Sequence, residues 1–101
     1  MLRILFVCHG NICRSTMAEQ IMKHLVKEAG LEDEFVIDSA ATSTEEIGNR
    51  IYPPAREELL RHGIDPGNHR ARQLRRDDLE NRHHSSCILI QIFEQFKLHR
   101  F

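Results

Sequence analysis

At 101 residues, with 41% hydrophobic and 29% charged side chains, the chain has the size and composition of one soluble globular domain. Its net charge of -1 gives no electrostatic case for nucleic acid or for a membrane surface. Three cysteines suit a reducing compartment better than a disulfide framework, and neither a signal peptide nor a membrane-length apolar run is present, which points to a cytoplasmic protein.

In chain order, Leu2–Val7 is apolar except for Arg3, as expected of a parallel strand covered on both faces. The run Cys8-His9-Gly10-Asn11-Ile12-Cys13-Arg14-Ser15 follows at once and reads as a tight loop. Thr16 to Ala29 repeats its apolar positions at helical spacing: Met17, Ala18, Ile21, Met22, Leu25, Val26 and Ala29 are expected inward, and Glu19, Lys23, Lys27 and Glu28 outward. Gly30 supplies a C-terminal stop. Phe35–Ser39 reads as a second strand, and residues 40–52 form a polar loop of a length that usually carries function.

Pro53-Pro54 opens a second helix running to about Arg61, with Ala55, Leu59 and Leu60 inward and Gly63 beyond its end. Ile64 to His69 is a turn, Leu74 to Arg82 a short charged helix, and Cys87–Phe93 a third strand. Strands alternating with helices indicate an α/β fold, three layers deep with a central parallel sheet. Ligands of such sheets sit beyond the C-terminal strand ends, where the Cys8 loop falls if the first strand is central.

The loop between a strand and its helix is a natural anion site, because unpaired backbone N–H groups and the positive end of the helix dipole face it. Five residues separate Cys8 from Arg14, enough for successive N–H groups of His9 to Arg14 to converge on one centre. The setting favours a reactive thiolate at Cys8, and Arg14 can fork two hydrogen bonds onto a bound oxyanion. Gly10 is expected to relieve a positive φ, and Asn11 also tolerates one. Ser15 can cap the helix or donate to the Cys8 sulfur.

This octet resembles the signature of the low-molecular-weight protein-tyrosine phosphatases. So do Thr16-Met17-Ala18-Glu19, Asp38–Ser43, Glu46-Ile47-Gly48-Asn49, His62-Gly63-Ile64 and His69–Leu74, in family order, so that the resemblance covers residues 1–82. It implies that Cys8 attacks phosphorus to form a phosphocysteine and that Arg14 binds two phosphate oxygens. The backbone of His9, Gly10, Asn11, Ile12, Cys13 and Arg14 would hold the rest. It implies that Asn11, Ser15, Ser39 and His69 form a supporting polar network, that Ser15 assists thiolate departure, and that Cys13 can pair reversibly with Cys8 under peroxide. Substrates would be phosphotyrosine proteins or small aryl phosphates, with no metal or other cofactor. Glu45, Glu46, Asn49 and Tyr52 would rim the pocket. Glu45 stands where some members carry an aromatic residue, so the rim would disfavour acidic peptides.

The resemblance weakens after Arg82, dividing the chain into a phosphatase-like domain, 1–82, and an atypical tail, 83–101, that holds the third strand. This reads as a truncated or frame-shifted member lacking the family's Asp-Pro general acid and its final helix. The expectation is impaired turnover, with apolar surface on Leu2–Val7 and 87–93 left for self-association or covered by the folded-over tail. Asp65-Pro66 is explained by turn chemistry. The alternatives are a phosphate- or phosphoprotein-binding remnant, an arsenate reductase for which only Cys87 is available besides Cys13, and a phosphoarginine phosphatase, against which Ile12 speaks.

Overall fold

The computed structural model describes residues 2–79 and 86–91. Three strands, β1 (Leu2–Cys8), β2 (Phe35–Ala41) and β3 (Ser86–Gln91), form one parallel sheet in the order β2-β1-β3. β1 is therefore central, as expected. The register pairs Leu2 with Phe35 and Cys8 with Ala41, so both strands end together at the edge where the loop begins. β3, which the sequence assigns to the tail, pairs with β1 from Leu2↔Ser86 onward. The boundary at 82/83 and residues 92–93 lie outside the described residues.

Side chains alternate across β1. Ile4 and Phe6 pack with Ile37 and with Val26 of the first helix, α1 (Arg14–Glu28), backed by Ala18 and Met22. Leu5 and Val7 point the other way and pack with Ala40 and Leu74. Burying each such side chain stabilises the fold by about 1.5–3 kcal/mol. Arg3 shares that second face and is 6% exposed. Its guanidinium reaches Asp78 in the short helix α3 (Arg76–Leu79), donating to the carboxylate at 2.9 Å and the carbonyl at 2.7 Å. Helices thus flank the sheet on both sides. The expectation that Leu2–Val7 exposes apolar surface is corrected: Ile4, Leu5, Phe6 and Val7 are all buried. In β3, Ile90 is 39% exposed.

The helices depart from their predicted faces in instructive ways. Glu19 is 2% exposed rather than outward, while Ile21 and Leu25 are 37% and 54% exposed rather than inward. Ser15, Glu19 and Val26 share one line along α1, and that line faces the sheet and the loop. Turning this polar N-terminal face inward carries Ile21 to the far side of the helix. In the second helix, α2 (Pro53–Arg61), Ala55 and Leu59 are buried one turn apart, but Leu60 is 45% exposed because the next residue is rotated off that face. Both helices end as expected on glycine: Gly30 and Gly63 each have φ of 72°, and the following N–H groups of Leu31 and Ile64 bond back to the Val26 and Leu59 carbonyls.

β2 runs two residues beyond its predicted end, through Ala41. Leu74 is not helical. The Ala41 N–H donates to the Arg72 carbonyl and the Leu74 N–H to the Ala41 carbonyl, both at 2.7 Å, so 72–74 lies extended along β2. Among the described residues, no helix is long and apolar enough to cross a membrane.

Candidate active site

Cys8 is the last residue of β1 and is buried. Its own carbonyl and four of those after it are engaged by groups outside the loop's centre. Those of Cys8 and His9 accept from the N–H groups of Thr42 and Ser43, that of Asn11 from Thr16 Oγ1, that of Ile12 from the Tyr52 N–H, and that of Cys13 from the Met17 N–H. A peptide plane whose carbonyl is held outward presents its N–H inward, which is how the short sequence becomes an anion cradle. The Asn11 N–H donates to Cys8 Sγ at 3.3 Å.

The positive φ belongs to Asn11, at 61°, and not to Gly10, which corrects the expectation for Gly10. At Gly10 a Cβ would meet Glu46 Cγ at 3.4 Å, an ordinary contact, so neither φ nor space there requires glycine. Asn11 holds its left-handed conformation because its side-chain amide is bonded on both sides. Its Nδ2 donates to Ser15 Oγ at 2.8 Å and to Ser39 Oγ at 2.9 Å. Its Oδ1 accepts the Arg72 backbone N–H at 3.1 Å, and since a backbone N–H can only donate, the amide orientation is fixed. His69 Nε2, 2.7 Å from the same Oδ1, must then carry a proton. Ser15 Oγ accepts from Asn11, so its own proton is available to Cys8 Sγ, 3.0 Å away.

Asn11, Ser15, Ser39 and His69 are therefore brought together beneath the loop. Glu19, read from sequence as outward, joins them by accepting from Ser39 Oγ and from Lys23 Nζ at 2.7 Å, with His69 Nδ1 3.7 Å away. The signal that could have found it is the polar line Ser15, Thr16, Glu19 at helical spacing, all three buried. Glu19, Asp38 and His69 bring one potential metal-ligand atom each within 4.8 Å of one another. Those groups are already engaged: Asp38 accepts the Ser39 N–H at 2.8 Å and Arg72 Nη2 at 2.9 Å, and His69 donates to Asn11. The cluster reads as a support of the loop.

Above the loop is a cavity of about 250 Å3 lined by Cys8, His9, Gly10, Ile12, Cys13 and Arg14, with Glu45, Glu46 and Tyr52 on its outer side. Arg14 begins α1 and lines the cavity beside Cys13. Glu45 is paired with His9 Nε2 at 2.9 Å, and Glu46 accepts from Asn49 Nδ2 at 2.7 Å, which places Asn49 behind the rim rather than on it. Tyr52 is 48% exposed and is the aromatic side chain on the cavity wall. Asp65 lies in a turn where its Oδ1 accepts the Gly67 N–H at 2.9 Å, and it lines a different cavity, against α1.

A second polar network on the far face of the sheet holds the segment that carries His69 and Arg72. Asp78 receives Arg3 at 2.9 Å, Arg72 at 2.9 and 3.0 Å, and the Arg75 N–H at 2.8 Å, while Arg72 also reaches Asp38. Burial pushes the Asp78 carboxyl up, but the hydrogen bonds from Arg72, the Arg75 backbone and Arg3 outweigh it and hold the group well below the usual carboxylate range. The hydrogen bond to Asp78 raises Arg72 in turn, against some desolvation.

Residues 3–84 match the family described as low molecular weight phosphotyrosine protein phosphatase. Two proteins of that name are similar to this chain. The one from Gallus gallus is 45% identical over 85 residues, 84% of this chain and 53% of its own length. The one from Schizosaccharomyces pombe is 46% identical over 81 residues, 79% of this chain and 51% of its own. Among solved structures, YfkJ from Bacillus subtilis superposes with a TM-score of 0.83 at 37% identity, covering 96% of this chain and 58% of that one. The chain thus spans about half the length of the curated relatives it matches.

Proposed function

The chain belongs to the low molecular weight phosphotyrosine protein phosphatase family, and from that premise we propose that it hydrolyses aryl phosphomonoesters through a phosphocysteine at Cys8. The supporting observation is the fixed amide of Asn11. It orients the Ser15 hydroxyl toward Cys8 Sγ, and the loop's own N–H joins it there. In the first step the Cys8 thiolate lone pair forms the S–P bond as the P–O bond to the leaving group breaks. Arg14 and the inward N–H groups bind the equatorial oxygens, where charge builds. In the second step water forms a P–O bond and the S–P bond breaks. Inorganic phosphate leaves, and the returning thiolate is received by Ser15 and the Asn11 N–H.

Proton delivery to the leaving oxygen is the weaker part of the machinery. Among the described residues no aspartate lines the cavity, and the carboxyl groups on its rim belong to Glu45 and Glu46. Where a general acid is lacking the cost is about 10²–10⁴-fold, and it falls mostly on poor leaving groups such as tyrosine phenolate, with a pKa of about 10. The 101-residue chain is expected to turn over nitrophenyl phosphate and to be much slower on phosphotyrosine. Glu45 and Glu46 favour neutral or basic groups next to the ring. The reducing compartment suited to a thiolate enzyme is the cytoplasm, and the exposed Ile90 on β3 supports self-association through that strand. Stopped-flow assay of nitrophenyl phosphate, with mass spectrometry of the quenched enzyme, tests the reading. Turnover with phosphate on Cys8 is expected. Phosphate binding without either would make the chain a binding protein instead.

A further inference from the structure

Beside the phosphate cavity lies a second one of about 410 Å3, and its chemistry is opposite in sign. Arg50, Arg56 and Arg70 line it against a single carboxylate, Glu57, so its walls carry two more positive than negative charges, in a chain whose net charge is -1. The three arginines come from separate places: Arg50 from the rim loop, Arg56 from the first turns of α2, and Arg70 from the segment after His69. Arg50 and Arg70 are held opposite each other by an antiparallel bridge, and Arg70 Nη1 donates to the Gly48 carbonyl at 2.9 Å, which fixes its direction. Among the described residues, the Arg50 and Arg56 side chains make no hydrogen bond or ion pair, so two guanidiniums are available to a ligand.

The two cavities are lined by one continuous stretch of chain, residues 50–53. Tyr52 lines the phosphate cavity, and its neighbours Arg50, Ile51 and Pro53 line the basic one. His69 lines the basic cavity and donates to Asn11 in the network beneath the loop, which ties that cavity's wall to the loop's support. A ligand seated on Cys8 that extends past Tyr52 therefore meets arginines within the same molecule. We propose that this cavity is a substrate subsite for an anionic group, an acidic side chain or second phosphate, carried on the substrate beyond the residues that adjoin the phosphorylated one. Guanidinium forks suit carboxylate and phosphate equally. The rim and the subsite then sort charge by distance: Glu45 and Glu46 disfavour acid next to the ring, and the arginines favour it farther away. This inference rests on the phosphatase reading.

The test uses two phosphotyrosine peptides that differ only in carrying glutamates or alanines away from the residues adjoining phosphotyrosine. The readout is the ratio of their kcat/KM values for the wild type and for the double variant Arg50→Ala/Arg56→Ala. A preference of about 3–10-fold for the glutamate peptide at low salt is expected, as for a few partly exposed ion pairs, falling as salt rises. In the double variant the ratio should approach unity. Equal rates in the wild type, or a preference retained in the double variant, overturns the proposal. The same ratio is measured as Kd on Cys8→Ser, so the subsite is decided even if no substrate is turned over, an outcome that would defeat only the phosphatase reading. Titration with inorganic phosphate is the third arm: occupancy of the arginine cavity without any peptide preference would make it a free-anion site and overturn the substrate assignment.

Discussion

Two polar networks, one buried and one partly exposed, lie on opposite sides of β1, and they are built from different chemistry. Beneath the loop, the atoms nearest Cys8 are neutral: the Asn11 amide, two serine hydroxyls and backbone N–H groups. Across the sheet, Arg3, Asp38, Arg72 and Asp78 form an ionic chain. The difference follows from what each must do. A thiolate and an arriving phosphate supply negative charge of their own, so fixed dipoles serve them without competing counterions. The ionic chain receives no ligand. It ties β1 to a segment 75 residues away, and each charge in it is matched. One network should govern rate and the other stability.

Substitutions can break that division or sharpen it. Cys8→Ser should lower turnover of nitrophenyl phosphate by about 10⁴-fold or more while leaving the urea midpoint near the wild-type value; a large loss of stability would mean the nucleophile is also a packing element. Asp78→Ala should destabilise the fold by about 3–5 kcal/mol, because Arg3 stays buried without its carboxylate. Denaturant unfolding would measure this, and kcat of the folded fraction should change little. Asn11→Ala should cut kcat by about 10²-fold and slow phosphocysteine breakdown, seen as accumulated intermediate in quenched samples. A merely structural role would lower stability without that accumulation.

The two networks should also part with pH. The folded Asp78 carboxyl sits below its ordinary value of 3.8, so its stabilisation is complete above 3.8 and is lost as pH falls below it. Acid unfolding curves of Asp78→Asn should lack that component. The smallest effect belongs to Gly10→Ala. Its φ is not positive and its new Cβ meets Glu46 Cγ at an ordinary 3.4 Å, so rates should stay within about twofold. A larger loss would show that the loop needs a freedom the ground state conceals.

The sequence made the loop legible because its parts are local: strand, Cys8, five residues, Arg14 and helix follow one another. The parallel strands and the central place of β1 were legible from the same order. What could not be read are contacts made across the fold. Arg3 interrupts an apolar run, and no spacing rule connects it to Asp78. A charged residue on an amphipathic helix normally faces outward, and the burial of Glu19 depends on Ser39, Lys23 and His69 converging on it. The roles of Ser39 and His69 came only through the family resemblance. In the basic cavity, Arg50, Arg56 and Arg70 look like solvated surface along the chain until the bridge between Arg50 and Arg70 brings them together.

The five outward-tied carbonyls have a consequence for ion selectivity. Hydrated cations enter protein sites by trading water for carbonyl or carboxylate oxygens, and this loop has committed the carbonyls of Cys8, His9, Asn11, Ile12 and Cys13 elsewhere. The cradle is thus a receptor of one sign, polarised before any ligand arrives. Cell sodium, potassium and magnesium should pass it by, and the anions that compete with substrate should be those with phosphate's tetrahedral shape.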